Sequence, residues 1–386
     1  MYRKILSAAL CCALLAAALA GCSGKRAEDP ALNYPTPTIL QTDAPELSSA
    51  PTEAPTAVPT TEAEEPTAEP TTEAPETTGL ESTEPVTTEV ELTPEEIERN
   101  AFYDAFWELD REETEAWLAA HPKLLENGYF GILADESGLG QDGLDLRTTQ
   151  GHQVLALDAV HGVLIIRAYL NHSRTVLAIA QDPSKLHLCP SKNIGVMGEK
   201  ITSIAPRNGA ILAMTGSGFD DPGGNGNGGR MAGWCMCDGT SYGRPFGWNY
   251  YRFQLLENNY AFVVHADGPA ARHTTDAMEF VPALIIDGVL QDPGDWTGNQ
   301  PRAGIGQNGR GEILMCGVEG RYNDSPGCSV ALVGKLMKQY GGVNAMNVDG
   351  GTTAIVWYRG KVIMRCSNPR TPDGRYLPNA WVYKAE

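Results

Sequence analysis

The sequence predicts an α+β fold: mixed β-sheets with few flanking helices, preceded by a short helical segment and a disordered tether. Three observations predict it. Residues 23–93 hold almost no large apolar side chains. Thr93 then opens a stretch with helical spacing. From Gln153 the pattern changes to short apolar runs separated by turn residues, with one clear helix among them. Many strands and few helices place the chain in the α+β class.

The leading segment, residues 1–22, reads as a signal peptide. Arg3 and Lys4 are its basic start, and Ile5 to Ala20 is an apolar run too short to span a membrane comfortably. It ends in Leu19-Ala20-Gly21-Cys22. Small residues before a cysteine resemble the lipobox of bacterial lipoproteins, which implies acylation of Cys22. Several acyl chains would hold the protein on the outer face of the cytoplasmic membrane.

Residues 23–93 are rich in Pro, Thr, Glu and Ala. Between Ala27 and Thr93 there are 15 acids and no bases. Such a stretch cannot bury enough surface to offset chain entropy, and its charges repel. It reads as an extended tether, able to reach about 200 Å at roughly 3 Å per residue. The formal net charge is −19. Without those 15 acids and the four bases at positions 3, 4, 25 and 26, about −8 remains for residues 94–386. That balance gives no basic footprint for nucleic acid.

Thr93-Pro94-Glu95-Glu96 is a helix start, with a hydroxyl cap, Pro at the first helical position and Glu at the third. Ile97, Ala101, Phe102, Ala105 and Phe106 fall on one face. A second helix opens at Asp110, carries Ala116, Trp117 and Leu118, and stops before Pro122. We take 94–150 as a helical segment and 151–386 as the main domain. In the latter, strands are expected at 154–157, 162–166, 175–179, 210–214, 261–265, 282–286, 312–318, 345–348, 354–358 and 361–364. Val163-Leu164-Ile165-Ile166 is a run rather than an alternation, so both of its faces should be buried. Ser329 to Tyr340 is the clear helix, ended by Gly341-Gly342.

Six cysteines fall in the domain: Cys189, Cys235, Cys237, Cys316, Cys328 and Cys366. Disulfides and buried thiols are both compatible with their spacing, because a domain of this size has core enough without staples. Cys235 and Cys237 should share one face of a strand. No two histidines have metal-ligand spacing, and His265, in an apolar strand, reads as a core histidine. Neither a metal nor a cofactor is expected.

The strongest chemical signal is Asn347-Val348-Asp349-Gly350-Gly351-Thr352-Thr353. Two glycines after an acid let a ligand approach the backbone, and the acid and hydroxyls supply reactive and hydrogen-bonding groups. A second segment, Gly216 to Gly229, contains Ser217 and Gly218 and reads as a loop bordering a polar ligand. Its G-x-G-x-x-G opens no helix, so it is no dinucleotide motif. Asn308-Gly309 predicts a hairpin, bringing Arg302 and Arg321 near opposite ends of paired strands. These arginines beside Glu319 either clamp a phosphate or include a surface ion pair such as Glu319–Arg321.

In this order the segments resemble the phosphodiester glycosidase family. The matching blocks are Asn208–Met214 with Ser217-Gly218-Phe219, Pro282–Gly288, Pro301-Arg302 to Gly306, Val318–Arg321, Ser325-Pro326-Gly327, Ala345–Gly351, and Gly374-Arg375 with Asn379-Ala380. The resemblance covers roughly residues 150–386. It implies an extracellular hydrolase that removes a sugar from a sugar 1-phosphodiester in a phosphodiester-linked glycan or wall polymer. The implied site holds Asp349 as base or nucleophile, with Arg302 and Arg375 on the phosphate. Arg321, Asn347, Gly350, Gly351 and Thr352 support or line it, and Glu319 or Asp287 is a second carboxylate. The chain departs from the family pattern at Thr215, Glu319, Thr352 and Gly374. Thr215 and Gly374 keep a second reading open, a wall-polymer-binding lipoprotein with a degenerate site. A metal-dependent phosphodiesterase would need clustered ligands that the sequence does not offer.

Overall fold

The computed structural model describes residues 92–246, 250–294 and 296–386. The signal segment, Cys22 and all of the tether up to Glu91 lie outside the described residues. Two helices come first, α1 (Pro94–Ala105) and α2 (Arg111–Ala120). The expected capping box is present: Thr93 accepts from the Glu96 amide, and the Glu96 side chain accepts from the Thr93 amide. Asp110 caps α2.

Next come β1 (Leu133–Asp135), β2 (Gln153–Asp158), β3 (Val163–Leu170), β4 (Ser173–Ala180) and β5 (Leu186–Pro190). Helix α3 (Ile201–Arg207) leads into β6 (Ala210–Thr215). Five strands follow: β7 (Trp234–Cys237), β8 (Thr240–Gly243), β9 (Tyr251–Leu256), β10 (Ala261–His265) and β11 (Thr274–Phe280). The remaining elements are β12 (Ala283–Ile286), β13 (Val289–Leu290), β14 (Arg302–Asn308), β15 (Ile313–Val318), α4 (Val330–Gln339), β16 (Gly342–Val348), β17 (Val356–Tyr358), β18 (Lys361–Val362) and β19 (Asn379–Lys384).

The strands form three sheets. The largest runs β1-β2-β3-β4-β15-β14-β16-β12-β13; the others run β10-β9-β11-β7-β8 and β18-β17-β6-β19-β5. The α+β class holds, and every named pairing is antiparallel. The large sheet is covered on both faces. Val163 and Ile165 of β3 join a core with Leu212, Met214, Phe253 and Trp381 of the other sheets. Leu164 and Ile166 join the helices, beside Phe102, Phe106, Leu118 and Val333. The uninterrupted apolar run therefore reflects two buried faces, as expected. The 94–150 segment shares this second core, and its β1 pairs with β2.

All six cysteines of the domain are free and buried. Cys235 and Cys237 lie on one face of β7 with their sulfurs 3.7 Å apart. His265 is a correction: it is exposed at the end of β10, its ring tilted against Tyr251, rather than sitting in the core. Period-2 alternation near a strand end does not fix which residues the neighbouring loops cover.

Candidate active site

The three sheets converge at one point. Gly216, just after β6, offers its carbonyl to the Asp349 amide at 3.4 Å, just after β16. Val281, just after β11, accepts from the Asn347 side chain at 2.7 Å. The Asp-Gly-Gly turn therefore sits where strand ends of all three sheets meet.

Its two glycines are needed for different reasons. A side chain on Gly350 would place its first carbon 2.8 Å from the Pro301 carbonyl. Gly351 has φ +61° and donates its amide to that same carbonyl at 2.9 Å. Both hold the turn against the start of β14, which leaves little room for anything but glycine. Asp349 accepts from the Gly350 amide at 3.0 Å. The Thr353 hydroxyl lies against both the Asp349 carboxyl and the Gly350 carbonyl. Asp349 keeps some solvent contact, yet protein atoms crowd its carboxyl. Burial pushes it up to about 7; Thr353, the Gly350 amide and the Arg375 charge work against that rise, and the Asp221 charge adds to it.

The arginines reach this turn by different routes. Arg375 forms a bidentate pair with Asp221 at 2.5 and 2.8 Å, donates to the Gly226 carbonyl at 2.9 Å and stacks on Phe219. Its charge acts on Asp349. The Arg321 guanidinium lies over Gly351, whose added carbon would be 3.3 Å from it, and is held by Gln300. Arg302 is buried and donates to the carbonyls of Cys328 and Gly298, beside Trp296. Arg302 pairs with Val318 across the hairpin. Arg302 opens β14 and Arg321 follows the end of β15, so both lie at the open end of the hairpin.

Two carboxylates named from the sequence are engaged elsewhere. Glu319 is buried and accepts from the Arg365 amide at 2.9 Å and its guanidinium at 2.7 Å. It pairs with Arg365, not Arg321. Arg365 in turn stacks on Tyr322, whose hydroxyl donates to the Cys366 carbonyl. Glu319 therefore buttresses a wall of the site. Asp287 is exposed in the β12–β13 turn, beside Asn344, at the far end of β16 from Asp349. The second acid near Asp349 is instead Asp221.

Asn347 shares a strand face with Asp349, and its Oδ1 is buried without a partner among the described residues. Ser217 is buried. Its amide donates to the Asn379 Oδ1 at 2.7 Å, and the Asn379 amide donates to its hydroxyl at 3.0 Å. Gly218 lies under the Phe280 ring. The Thr352 carbonyl accepts from the Cys366 thiol at 3.5 Å. Thr215, at the end of β6, has a buried hydroxyl without a partner among the described residues. Gly374 has φ +75° and an added carbon would strike Ile355 at 2.9 Å, which accounts for glycine there.

Sequence reading gave no role to Asp221 or Arg365, and named Thr353 and Asn379 only within their motifs. Asp221 was visible only as an acid inside the glycine-rich segment, and Thr353 as the second of two adjacent hydroxyls. Among the described residues no cluster of three or more His, Cys, Asp or Glu side chains has the geometry to hold a metal ion.

Residues 208–384 match the model of the phosphodiester glycosidase family, so the resemblance read from the sequence is borne out over that stretch. Among solved structures, the chain is similar to the zebrafish N-acetylglucosamine-1-phosphodiester alpha-N-acetylglucosaminidase catalytic domain, auto-inhibited by its pro-peptide. Identity is 18% and the TM-score 0.47, covering 57% of this chain and 82% of that one. A putative exported protein from Burkholderia pseudomallei matches at 13% identity and TM-score 0.42, over 55% and 74%. A hypothetical protein from Synechocystis matches at 13% and 0.41, over 60% and 63%. Likenesses at this level say nothing about the reaction. Among curated proteins none matches the chain.

Proposed function

We propose that the protein is a glycosidase that hydrolyses a sugar 1-phosphodiester, releasing the sugar from an extracellular glycan or wall polymer. The observation that carries this reading is the Asp349 carboxyl, held near neutrality on a glycine floor with Arg375 beside it. The family match over 208–384 supports it.

The chemistry follows from the groups. The phosphate of a diester is a weak base and leaves without much protonation; it needs cations instead. Arg375 and Arg321 supply these. Arg302, which also donates to two carbonyls, is the third cation of the phosphate side. Asp349 acts as general base, and a carboxyl near 7 is a stronger base at neutral pH than an ordinary one. It takes a proton from water as the water oxygen bonds to the anomeric carbon. The bond from that carbon to the phosphate oxygen breaks, and its electron pair leaves with the phosphate. Asn347, Ser217, Gly218 and Thr352 line the sugar side.

We place the protein outside the cell, on the outer face of a bacterial cytoplasmic membrane, anchored through lipidated Cys22 and standing off on the 23–93 tether. The motif at 19–22 supports this reading. Incubation with a sugar 1-phosphodiester in ¹⁸O-labelled water tests the reaction. Label on the sugar is expected. Label on the phosphate would indicate P–O cleavage, and no release would leave a glycan-binding lipoprotein.

A further inference from the structure

The Arg375 fork is closed in this structure by a carboxylate that cannot readily leave. Asp221 also accepts from the Gly226 amide at 2.6 Å, so it is fastened to its own loop. That loop is locked in turn. An added carbon on Gly226 would meet the Asp220 carbonyl at 2.5 Å, and one on Gly228 would meet the Tyr376 carbonyl at 2.1 Å. Loop and Arg375 segment are thus packed backbone to backbone. The Asp221 side chain is only 24% exposed. A phosphate arriving at Arg375 therefore meets a fixed negative charge beside the positive one.

We infer that Asp221 is a specificity residue: it makes the phosphate site accept the single charge of a diester and reject the double charge of a monoester. This rests on the phosphate reading given above. A like charge at such range disfavours a further charge by about tenfold to a thousandfold. The penalty falls more heavily on the dianion. It gives the site a direction, because hydrolysis of a diester yields a monoester, whose second ionisation is near 6. At neutral pH the product carries the extra charge and is expelled, so it does not accumulate as an inhibitor.

Dimethyl phosphate and methyl phosphate at pH 8 separate the two charge states without any turnover. Each is titrated into the full chain and into Asp221→Asn and Arg375→Gln, with binding read by calorimetry. The wild type should bind the diester at least about tenfold more tightly than the monoester. Asp221→Asn should gain at least about tenfold for methyl phosphate and less, about threefold, for dimethyl phosphate, because the repulsion scales with the ligand's charge. Equal changes for both ligands, or weakening of both, overturn the inference. If Asp221→Asn does not fold, the wild-type preference decides, and equal affinities overturn it. Arg375→Gln should weaken both ligands. If it leaves both untouched, the phosphate binds elsewhere and the reading of the site itself fails. A null Asp221→Asn beside an effective Arg375→Gln sinks only the present inference.

Discussion

Glu108, between the two helices, should make stability fall as pH rises. It is 1% exposed, and its Oε1 has no partner among the described residues. Burial raises its carboxyl from the ordinary 4.5 to about 8, and the nearby Glu312 adds to the rise, with Arg310 opposing it. Tyr340 also faces it, with His152 and Thr148 on the tyrosine hydroxyl. Trp107 donates to Glu312, and Arg310 pairs with Asp104 and Glu312. The folded protein keeps the Glu108 proton up to about pH 8, whereas the unfolded chain gives it up above about 4.5. Stability from this group is therefore full below 4.5 and is lost as pH rises to about 8. At about 1.4 kcal/mol per tenfold, the full window is worth on the order of 5 kcal/mol. Glu108→Gln keeps the shape and removes the titration. Urea unfolding of both proteins from pH 4.5 to 8.5 isolates the group, since other titrations cancel in the difference. The variant should gain on the wild type steadily, by about 4 kcal/mol over that range. A difference that stays constant across the range would mean that Glu108 titrates alike in the folded and unfolded chain.

Three further outcomes follow from the site. With Asp349 as the base, kcat/KM for a sugar 1-phosphodiester should fall about tenfold per pH unit below about 7 and level off above it; a limb near pH 4 would mean an ordinary solvated carboxyl. Gly351→Ala forces an alanine to φ +61° and crowds Arg321, so it should cost about 1–2 kcal/mol in thermal unfolding and raise KM. Asn379→Ala removes both hydrogen bonds to Ser217 and should cost about 1–3 kcal/mol, with Asn379→Asp recovering part of it.

The elements that the sequence revealed share a physical cause. The capping box at Thr93–Glu96 and the helix ending at Gly341 depend on local backbone chemistry. The β3 run reflects burial on both faces. Strands such as β9 and β11 stayed hidden because Arg252 and Glu279, on both of them, are buried as an ion pair at 2.7 Å. Charged residues inside a strand erase the alternation that periodicity detects. The site followed the same division. Asp349 and its glycines form one contiguous turn and were legible. Asp221 and Arg375 are 154 residues apart, and nothing local announces their pairing. Glu319 was named through the hairpin and the family resemblance, while a long-range partner, Arg365, takes up its charge.

Turnover by Asp349→Asn tests the central claim most directly. Free sugar is assayed from a sugar 1-phosphodiester with wild type and variant, each checked by its melting transition. The variant should melt like the wild type and release no sugar. A folded Asp349→Asn protein that works at the wild-type rate would contradict that claim.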